Sequence, residues 1–497
     1  MLKNLFPPGS YKIKYDFSFL PSSVRTPTQH VIEASNLPLL CHQLAGKLLL
    51  REELPFDHQQ LQVLQQNHLI QAIPSITTKP TLCRRCGNTK ASLFGKLPCA
   101  RCHTNHLYCR NCIEMGRVLQ CANLYYWIGP KPTYIIPDKV CTWEGELTVA
   151  QQHAADRMSH MVEKGNAELL CWAVCGAGKT EMLFPAITKA ILAGKRICLA
   201  TPRADVVREL LPRFQQAFPN IEVTGLYGGA EKSETPSQLT IATTHQLIRF
   251  ARAFDVVIID EIDAFPFHAD PQLPYVTKRA ATENAAFIYL TATPRKDLKR
   301  RSHNRSLPTV FVPIRFHGHP LPEPRLVLSL TLKTALEKNQ LPKTFWSWYH
   351  QRTNPERQLL LFVPVIKQLE ALRCILQAQL PMQTIEAVYA NDSDRELKIE
   401  SFRNRQLSIL LSTTILERGV TFPSVDVVVI DAGHAVFDQA ALVQMAGRAG
   451  RSSADPTGEV IFLHDGKTNA MIQAKRMIQQ MNRKARDKQW NVYGASN

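Results

Sequence analysis

Nowhere in the 497 residues does an apolar run approach the roughly 18–20 positions needed to cross a bilayer. The longest candidates, such as Leu359-Leu360-Leu361-Phe362-Val363-Pro364-Val365-Ile366, have strand length. The N-terminal MLKNLFPPGSYKIKYDF carries no apolar segment before a small-residue cleavage site, so the expectation is a cytoplasmic chain rather than a secreted or membrane-spanning one. Acids are also in short supply: 42 Asp+Glu against 59 Lys+Arg leave a formal charge of +17. That excess favours a polyanionic partner, nucleic acid or an anionic membrane surface, because each cation laid on a phosphate releases a counterion. Scattered solvated charge is the bland alternative. No short-period repeat is present, and 45% hydrophobic with 20% charged residues excludes a wholly disordered, collagenous or coiled-coil chain. The length accommodates about three domains.

Thirteen cysteines without a secretion signal point to reduced thiols or metal ligands rather than disulfides. Six crowd together in three C-x-x-C knuckles, Cys83/Cys86, Cys99/Cys102 and Cys109/Cys112, and the clustering favours metal. A tetrahedral structural zinc needs only two knuckles, and Cys99 and Cys109 both follow Cys86 at ribbon-like spacings. Residues 81–118 are basic, with Arg84, Arg85, Lys90, Lys96, Arg101, Arg110 and Arg117 against the acid Glu114. Such a hairpin can offer cations to a nucleic-acid backbone or a docking surface to a protein.

Residues 1–80 show no strong periodicity, and Leu48–Ile73 fits one or two short amphipathic helices. From about 147 onward, short apolar runs alternate with longer amphipathic stretches, the pattern of βαβ units in a parallel sheet. Expected strands are Leu169–Val174, Arg196–Thr201, Leu239–Thr243, Val256–Asp260 and Ala286–Thr291. After a Pro-rich, basic stretch at 294–325 come Gln358–Val363, Glu386–Tyr389, Ser408–Ser412, Val425–Ile430 and Glu459–Leu463. The fold class is α/β, with two doubly wound units in tandem. The expected boundaries are 1–80, a metal module at 81–118, α/β domains at 141–315 and 316–482, and a basic tail at 483–497 whose preceding helix frays after Asn482.

The run ending in Ala173-Val174 leads into Cys175-Gly176-Ala177-Gly178-Lys179-Thr180 and then a helix-compatible stretch. A strand that turns through glycines into a helix aims successive N–H groups and the positive helix end at one spot, where phosphate can sit. Lys179 would reach the β and γ phosphates and the Thr180 hydroxyl would join the Mg²⁺ shell. The pattern's first glycine is replaced by Ala173. Farther on, Val256-Val257-Ile258-Ile259 ends in Asp260-Glu261-Ile262-Asp263, acids at the carboxyl end of a buried strand where open α/β sheets keep their ligands. Asp260 would hold Mg²⁺ through water and Glu261 would orient and deprotonate the attacking water. In the second α/β half, Gln444-Met445-Ala446-Gly447-Arg448-Ala449-Gly450-Arg451 sets two arginines three apart, able to meet charge developing on a γ-phosphate. Read singly, the acids fit a helix N-terminus and the arginines a solvated helix end. Together with the phosphate loop they read as an ATPase.

Ala173–Thr180, Thr201-Pro202-Arg203, Thr243–Leu247, Asp260–Asp263, Thr291-Ala292-Thr293, Phe362-Val363-Pro364, Ser412–Val420 and Gln444–Arg451 occur in the order of the superfamily-two helicase motifs and cover about residues 147–452. Trp172–Pro185, Ala200–Arg203, Leu226-Tyr227-Gly228-Gly229, Thr413–Val420 and Tyr108–Val118 resemble the ComFA family, the ATPase of competence DNA uptake. The resemblance implies two RecA-like domains behind a zinc module held by Cys83, Cys86, Cys109 and Cys112. Cys99 and Cys102 then form a supernumerary pair, with His103 and His106 as candidate ligands of a second site. It also implies that Gln151 reads adenine, with adjacent Gln152 as the competing candidate; that Pro202, Arg203, Thr244 and His245 touch the DNA backbone; and that Thr291 and Thr293 couple hydrolysis to domain motion. Arg418-Gly419-Val420-Thr421 stands where many relatives have R-G-x-D, so an acidic contact is missing.

The resemblance further implies ATP, Mg²⁺ and Zn²⁺ as cofactors and single-stranded DNA as track. Its suggested partners are ComFC-like and DprA-like competence proteins and a ComEC-type channel, placing the chain at the inner face of the membrane through partners and leaving room for an oligomer. Two rival functions are a duplex-unwinding helicase of replication restart or repair and a zinc-dependent DNA-binding scaffold with a vestigial ATPase. The cluster Arg295–Arg301 is expected near the strand path, and Trp172 in the core rather than as a stacking platform.

Overall fold

The computed structural model describes residues 15–21, 37–230 and 237–487. The chain divides into two compact units. One holds Met1–Glu146, Ala155–Cys171 and Met182–Val310; the other holds Leu147–Ala154, Trp172–Glu181 and Phe311–Asn497.

The N-terminal part of the first unit is a small antiparallel sheet of β1 (Leu48–Leu49), β7 (Asn123–Trp127) and β2 (Ile70–Pro74), in that order. Helices Leu37–Leu44 and His58–Gln66 pack on it through Cys41, Leu44, Leu61 and Leu64. Asp57 caps the second helix by accepting from the Gln60 N–H at 2.8 Å, and the Gln60 side chain accepts from the Asp57 N–H in return. The Leu48–Ile73 stretch is thus one helix between two strands, not a helix pair. Two hairpins follow, β3–β4 (Ile76–Thr78, Thr81–Cys83) and β5–β6 (Phe94–Pro98, Asn105–Cys109).

The larger sheet has seven strands: β8 (Ala167–Ala173), β9 (Ile197–Thr201), β10 (Val223–Leu226), β11 (Leu239–Thr243), β12 (Phe254–Ile259), β13 (Ala281–Thr291) and β14 (Thr309–Val312), in the order β10-β11-β9-β12-β13-β8-β14. The pairs among β10, β11, β9, β12 and β13 are parallel. β9 and β11 are buried at every position, as a strand covered on both faces must be. The second sheet is wholly parallel, with β15 (Arg325–Leu328), β16 (Gln358–Phe362), β17 (Ile385–Val388), β18 (Ile409–Ser412), β19 (Val425–Val429) and β20 (Val460–His464) in the order β15-β20-β19-β16-β18-β17.

The two sheets contain every strand anticipated above, β11 with the expected ends and the others with one or both ends shifted by one to several residues. Three more strands, β10, β14 and β15, escaped the sequence reading: each is four residues long, and each forms an edge of its sheet. The last helix, Asn469–Asp487, runs past Asn482, because Met481 and Ala485 continue its buried stripe from Met471, Ala474 and Ile478. Asn482 itself is buried, exchanging hydrogen bonds with the Leu321 backbone at 2.9 and 3.0 Å. Residues 488–497 of the expected basic tail lie outside the described residues.

Glu168, on β8, gathers three elements of the first unit. It accepts from Lys278 Nζ at 2.9 Å, from the Tyr289 hydroxyl at 2.9 Å and from Arg301. Burial pushes its carboxyl up, but Lys278 and Arg301 outweigh that and hold it down to about 2. A depressed carboxylate contributes stability above its ordinary value of 4.5 and loses it as pH falls towards the folded-state value. We predict that Glu168→Gln lowers unfolding stability by about 2 kcal/mol at neutral pH, a figure reduced for the solvent that reaches Lys278. In urea titrations the gap between wild type and variant should close between pH 4.5 and 2; a gap that stays constant would refute the linkage.

Candidate nucleotide site, nucleic-acid motifs and metal centre

At the end of β8 the chain bends through Gly176 (φ +76°) and Gly178 (φ +70°) before helix Lys179–Leu192 begins at Lys179. A side chain at Gly178 would put its Cβ 2.4 Å from Gln151 Nε2, so glycine lets Gln151 lie against the loop. Gln151 is buried; its Nε2 donates to Ala177 O at 2.9 Å, while its Oε1 accepts from Thr148 N at 2.8 Å. Gln152 is exposed, so Gln151 is the glutamine at the loop. Thr180 is buried. Trp172, also buried, packs its ring 5.4 Å from that of Phe311, in the core as expected.

The phosphate loop belongs to the same compact unit as helix Gln439–Ala446 and the turn after it. Cys175 Sγ donates to Gln444 Oε1 at 3.0 Å. A Cβ on Gly447 would fall 2.4 Å from Cys175 Cβ, so the second glycine-bearing motif meets the first backbone to side chain. Arg451 donates to Gly447 O at 2.9 Å and to the Thr421 hydroxyl at 3.2 Å, so the residue in the place of the missing acid still contacts the arginine. Arg448 is placed differently from its neighbour: it is buried and directs its guanidinium to the carbonyls of Glu417 and Val420, fastening the 417–420 turn.

Arg315 went unnoticed in the sequence. Its buried guanidinium donates to the carbonyls of Ala449 (3.0 Å), Pro320 (2.6 Å) and Pro456 (2.6 Å) and also to Gly450, while Phe316 N donates to Gly176 O at 2.9 Å. Burial, with Arg451 nearby, draws its pKa down to about 10. A lone arginine in a Pro-rich stretch carries no sequence signal for such a role.

In the first unit, β12 delivers Asp260 and Glu261 to its carboxyl end. Asp260 Oδ1 accepts from Glu261 N at 2.9 Å, and Glu261 takes a left-handed φ of +53°, uncommon for a non-glycine residue. Asp263 is buried and receives the hydroxyls of both Thr291 and Thr293, the latter at 2.5 Å. The expected coupling residues are therefore joined to the acidic motif directly.

Thr201 and Thr243 are register partners on β9 and β11, so the segments that follow, Pro202-Arg203 and Thr244-His245, emerge side by side at the sheet's carboxyl edge. Arg203 is tied to Asp205 at 2.6 and 3.1 Å, His245 is half-buried, and Pro202 and Thr244 are buried. In the Arg295–Arg301 cluster, Arg301 is committed to Glu168.

Cys83, Cys86, Cys109 and Cys112 are all fully buried, and their sulfurs lie within 4.8 Å of one another. The distances Cys83–Cys112, 3.8 Å, and Cys86–Cys109, 3.5 Å, match the edge of about 3.8 Å expected of a tetrahedron with 2.3 Å metal–sulfur bonds. The four sulfurs thus fit a metal ion, and the thiols belong to the same apolar core as Leu273, Val276 and Phe254 of the α/β unit. Buried Arg279 welds the two parts: it donates to Arg84 O at 3.0 Å and to Arg85 O on the knuckle, and to Ile248 O (2.6 Å) and Phe250 O (3.0 Å) on the sheet side. Arg85 is buried against Glu53 at 2.7 Å, which removes it from the cations the hairpin could present to DNA.

Two RecA-like parallel-sheet domains preceded by a metal-competent cysteine cluster define a protein of helicase-type architecture. The yeast Dbp5 bound to RNA and ADP BeF3 has the same fold, with a TM-score of 0.51 at 16% identity over 70% of this chain and 93% of that one. Residues 144–296 match the model for the type III restriction enzyme res subunit, residues 338–453 the helicase conserved C-terminal domain and residues 33–126 the competence protein ComFA N-terminal domain. The competence protein ComFA of Bacillus subtilis (strain 168) is 42% identical over 88% of this chain and 94% of its own length. That of Streptococcus pneumoniae (strain ATCC BAA-255 / R6) is 40% identical over 79% and 91%. The chain belongs to the ComFA family.

Valine at both Thr291 and Thr293 would strip two donors from a buried carboxylate. With hydrogen bonds to charged groups contributing about 1.5–3 kcal/mol each, the double variant should lose about 3 kcal/mol in urea unfolding. Adding Asp263→Ala should recover part of that loss, because the buried carboxylate that the two hydroxyls served is removed with them; strict additivity would show that the three side chains do not act together.

Proposed function

We propose that the chain is an ATP-dependent translocase on single-stranded DNA that drives DNA uptake in natural transformation. Lys179 and the loop from Ala173 to Thr180 hold the phosphates, Gln151 reads the base, and Thr180 and Asp260 would hold Mg²⁺, which screens the phosphate charge. Glu261 orients and deprotonates water, and Gln444 and Arg451 answer charge on the γ-phosphate, with Arg448 acting through the turn it fastens. Pro202, Arg203, Thr244 and His245 line the DNA path, the two buried residues by shaping backbone there, and the Asp263–Thr291–Thr293 group passes the nucleotide state on. The observation that supports this reading is the packing around the phosphate loop: Cys175 donates to Gln444, Gln151 lies against Ala177, and a Cβ on Gly447 would fall 2.4 Å from Cys175 Cβ, so the nucleotide motifs stand together as ATP hydrolysis requires.

Cys83, Cys86, Cys109 and Cys112 would hold Zn²⁺ as a structural staple. No helix among the described residues is long and apolar enough to cross a membrane. The proposed station at the membrane is through a partner such as a ComEC-type channel.

Steady-state ATP hydrolysis without nucleic acid, and with single-stranded DNA, duplex DNA or RNA, tests the proposal. Single-stranded DNA should raise turnover about tenfold or more, and Lys179→Ala should lower the stimulated rate by about 100-fold or more. Stimulation by duplex alone would favour the helicase, and hydrolysis unaffected by Lys179→Ala would overturn the site.

A further inference from the structure

The exposed end of the β5–β6 hairpin gathers a second set of soft ligands. Cys99, Cys102, His106 and Cys121 each bring one ligand atom, and all four atoms lie within 4.8 Å of one another. We propose that this is a second zinc site, a Cys₃His tetrahedron separate from the buried four-cysteine centre. The sequence reading offered His103 and His106 beside Cys99 and Cys102; the structure uses His106, leaves His103 outside the set and adds Cys121, which stands in no C-x-x-C pair.

Three observations carry the assignment. The Cys99–Cys121 sulfur separation is 3.7 Å, far from a disulfide bond of about 2.05 Å and close to the edge of about 3.8 Å for a zinc tetrahedron. The backbone of this knuckle repeats that of the buried one. In the buried knuckle Cys83 N donates to Asn88 O at 2.9 Å, Gly87 N donates to Cys83 O at 2.7 Å, and Gly87 has φ +76°. In the exposed knuckle Cys99 N donates to Thr104 O at 3.0 Å, His103 N donates to Cys99 O at 2.9 Å, and His103 has φ +51°. A histidine is left-handed here at the position where the other knuckle has glycine, so the two turns share one backbone form.

The third observation is how the distant ligand arrives. A bridge between Tyr108 and Leu119, with Gln120 N donating to Leu107 O at 2.8 Å and Leu107 N donating to Gln120 Oε1 at 3.0 Å, lays the 119–121 segment along β6 and sets Cys121 beside His106. The Thr104 hydroxyl lies 3.0 Å from His106 Nε2, the kind of partner that orients a metal-bound imidazole. Three thiolates and an imidazole suit Zn²⁺ among the available divalent ions. A two-stranded hairpin is at best marginal alone, and here an ion at each end would pin it, the buried one through Cys109 and the exposed one through His106.

Zinc per chain, measured on the purified full-length protein by elemental mass spectrometry, should be about two. It should fall to about one in Cys102→Ser/Cys121→Ser and stay at two in Cys374→Ser, a cysteine outside both sets. X-ray absorption at the zinc edge of the wild type reads the ligands without any substitution: seven sulfurs and one nitrogen across the two ions, becoming all sulfur in the double variant. A wild type with one ion and an all-sulfur shell, or a double variant that keeps two, would overturn the second site. One ion that is lost from the double variant but kept by Cys83→Ser would support this site and count against the buried one.

Discussion

The motor function proposed for this chain depends on a steric constraint at the phosphate loop. A bend that presents N–H groups to a phosphate must leave its inner face uncovered while neighbouring elements come close enough to finish the site. Gly178 meets this on the side of Gln151, and Gly447 meets it from the other motif, where an added Cβ would run into Cys175. Arg315 then spends its donors on the carbonyls that follow that second motif, so the loop and the arginine-bearing turn are held within one compact unit. The acids of β12 obey a related economy. The buried Asp263 carboxylate accepts from the hydroxyls of Thr291 and Thr293, so a change at the acidic motif reaches the end of β13 directly.

The N-terminal cysteines are not an appendage. Four buried thiols share the core of the first α/β unit, and Arg279 ties knuckle backbone to sheet-side backbone through carbonyl acceptors on both sides. Loss of the buried centre would therefore loosen the platform that carries Thr244 and Asp260 as well as the hairpin itself. The exposed hairpin end is different, since its ligands come only from the hairpin and the strand-like segment beside it.

Motifs whose residue types are dictated by local chemistry could be read directly from the sequence: glycines at a bend, acids at the end of an apolar strand, cysteines at knuckle spacing. The central strands were equally plain, because burial on both faces writes a continuous apolar run. What stayed hidden depends on tertiary placement. β10, β14 and β15 are short edges with weak patterns. Arg279 and Arg315 look like any surface arginine until their carbonyl partners are assembled around them. Cys121 lies outside every C-x-x-C pair, and only its pairing beside β6 brings it to His106. Arg85 was counted among the available cations and is in fact buried against Glu53.

The claim at the centre is directional movement along a single strand powered by ATP. The most direct measurement is single-turnover arrival of the protein at the labelled end of single-stranded DNA of increasing length, after ATP is added to preformed complexes. A translocase gives a lag that lengthens in proportion to the distance travelled and vanishes without hydrolysable nucleotide. Arrival that is independent of length, or unchanged without ATP hydrolysis, would contradict the account.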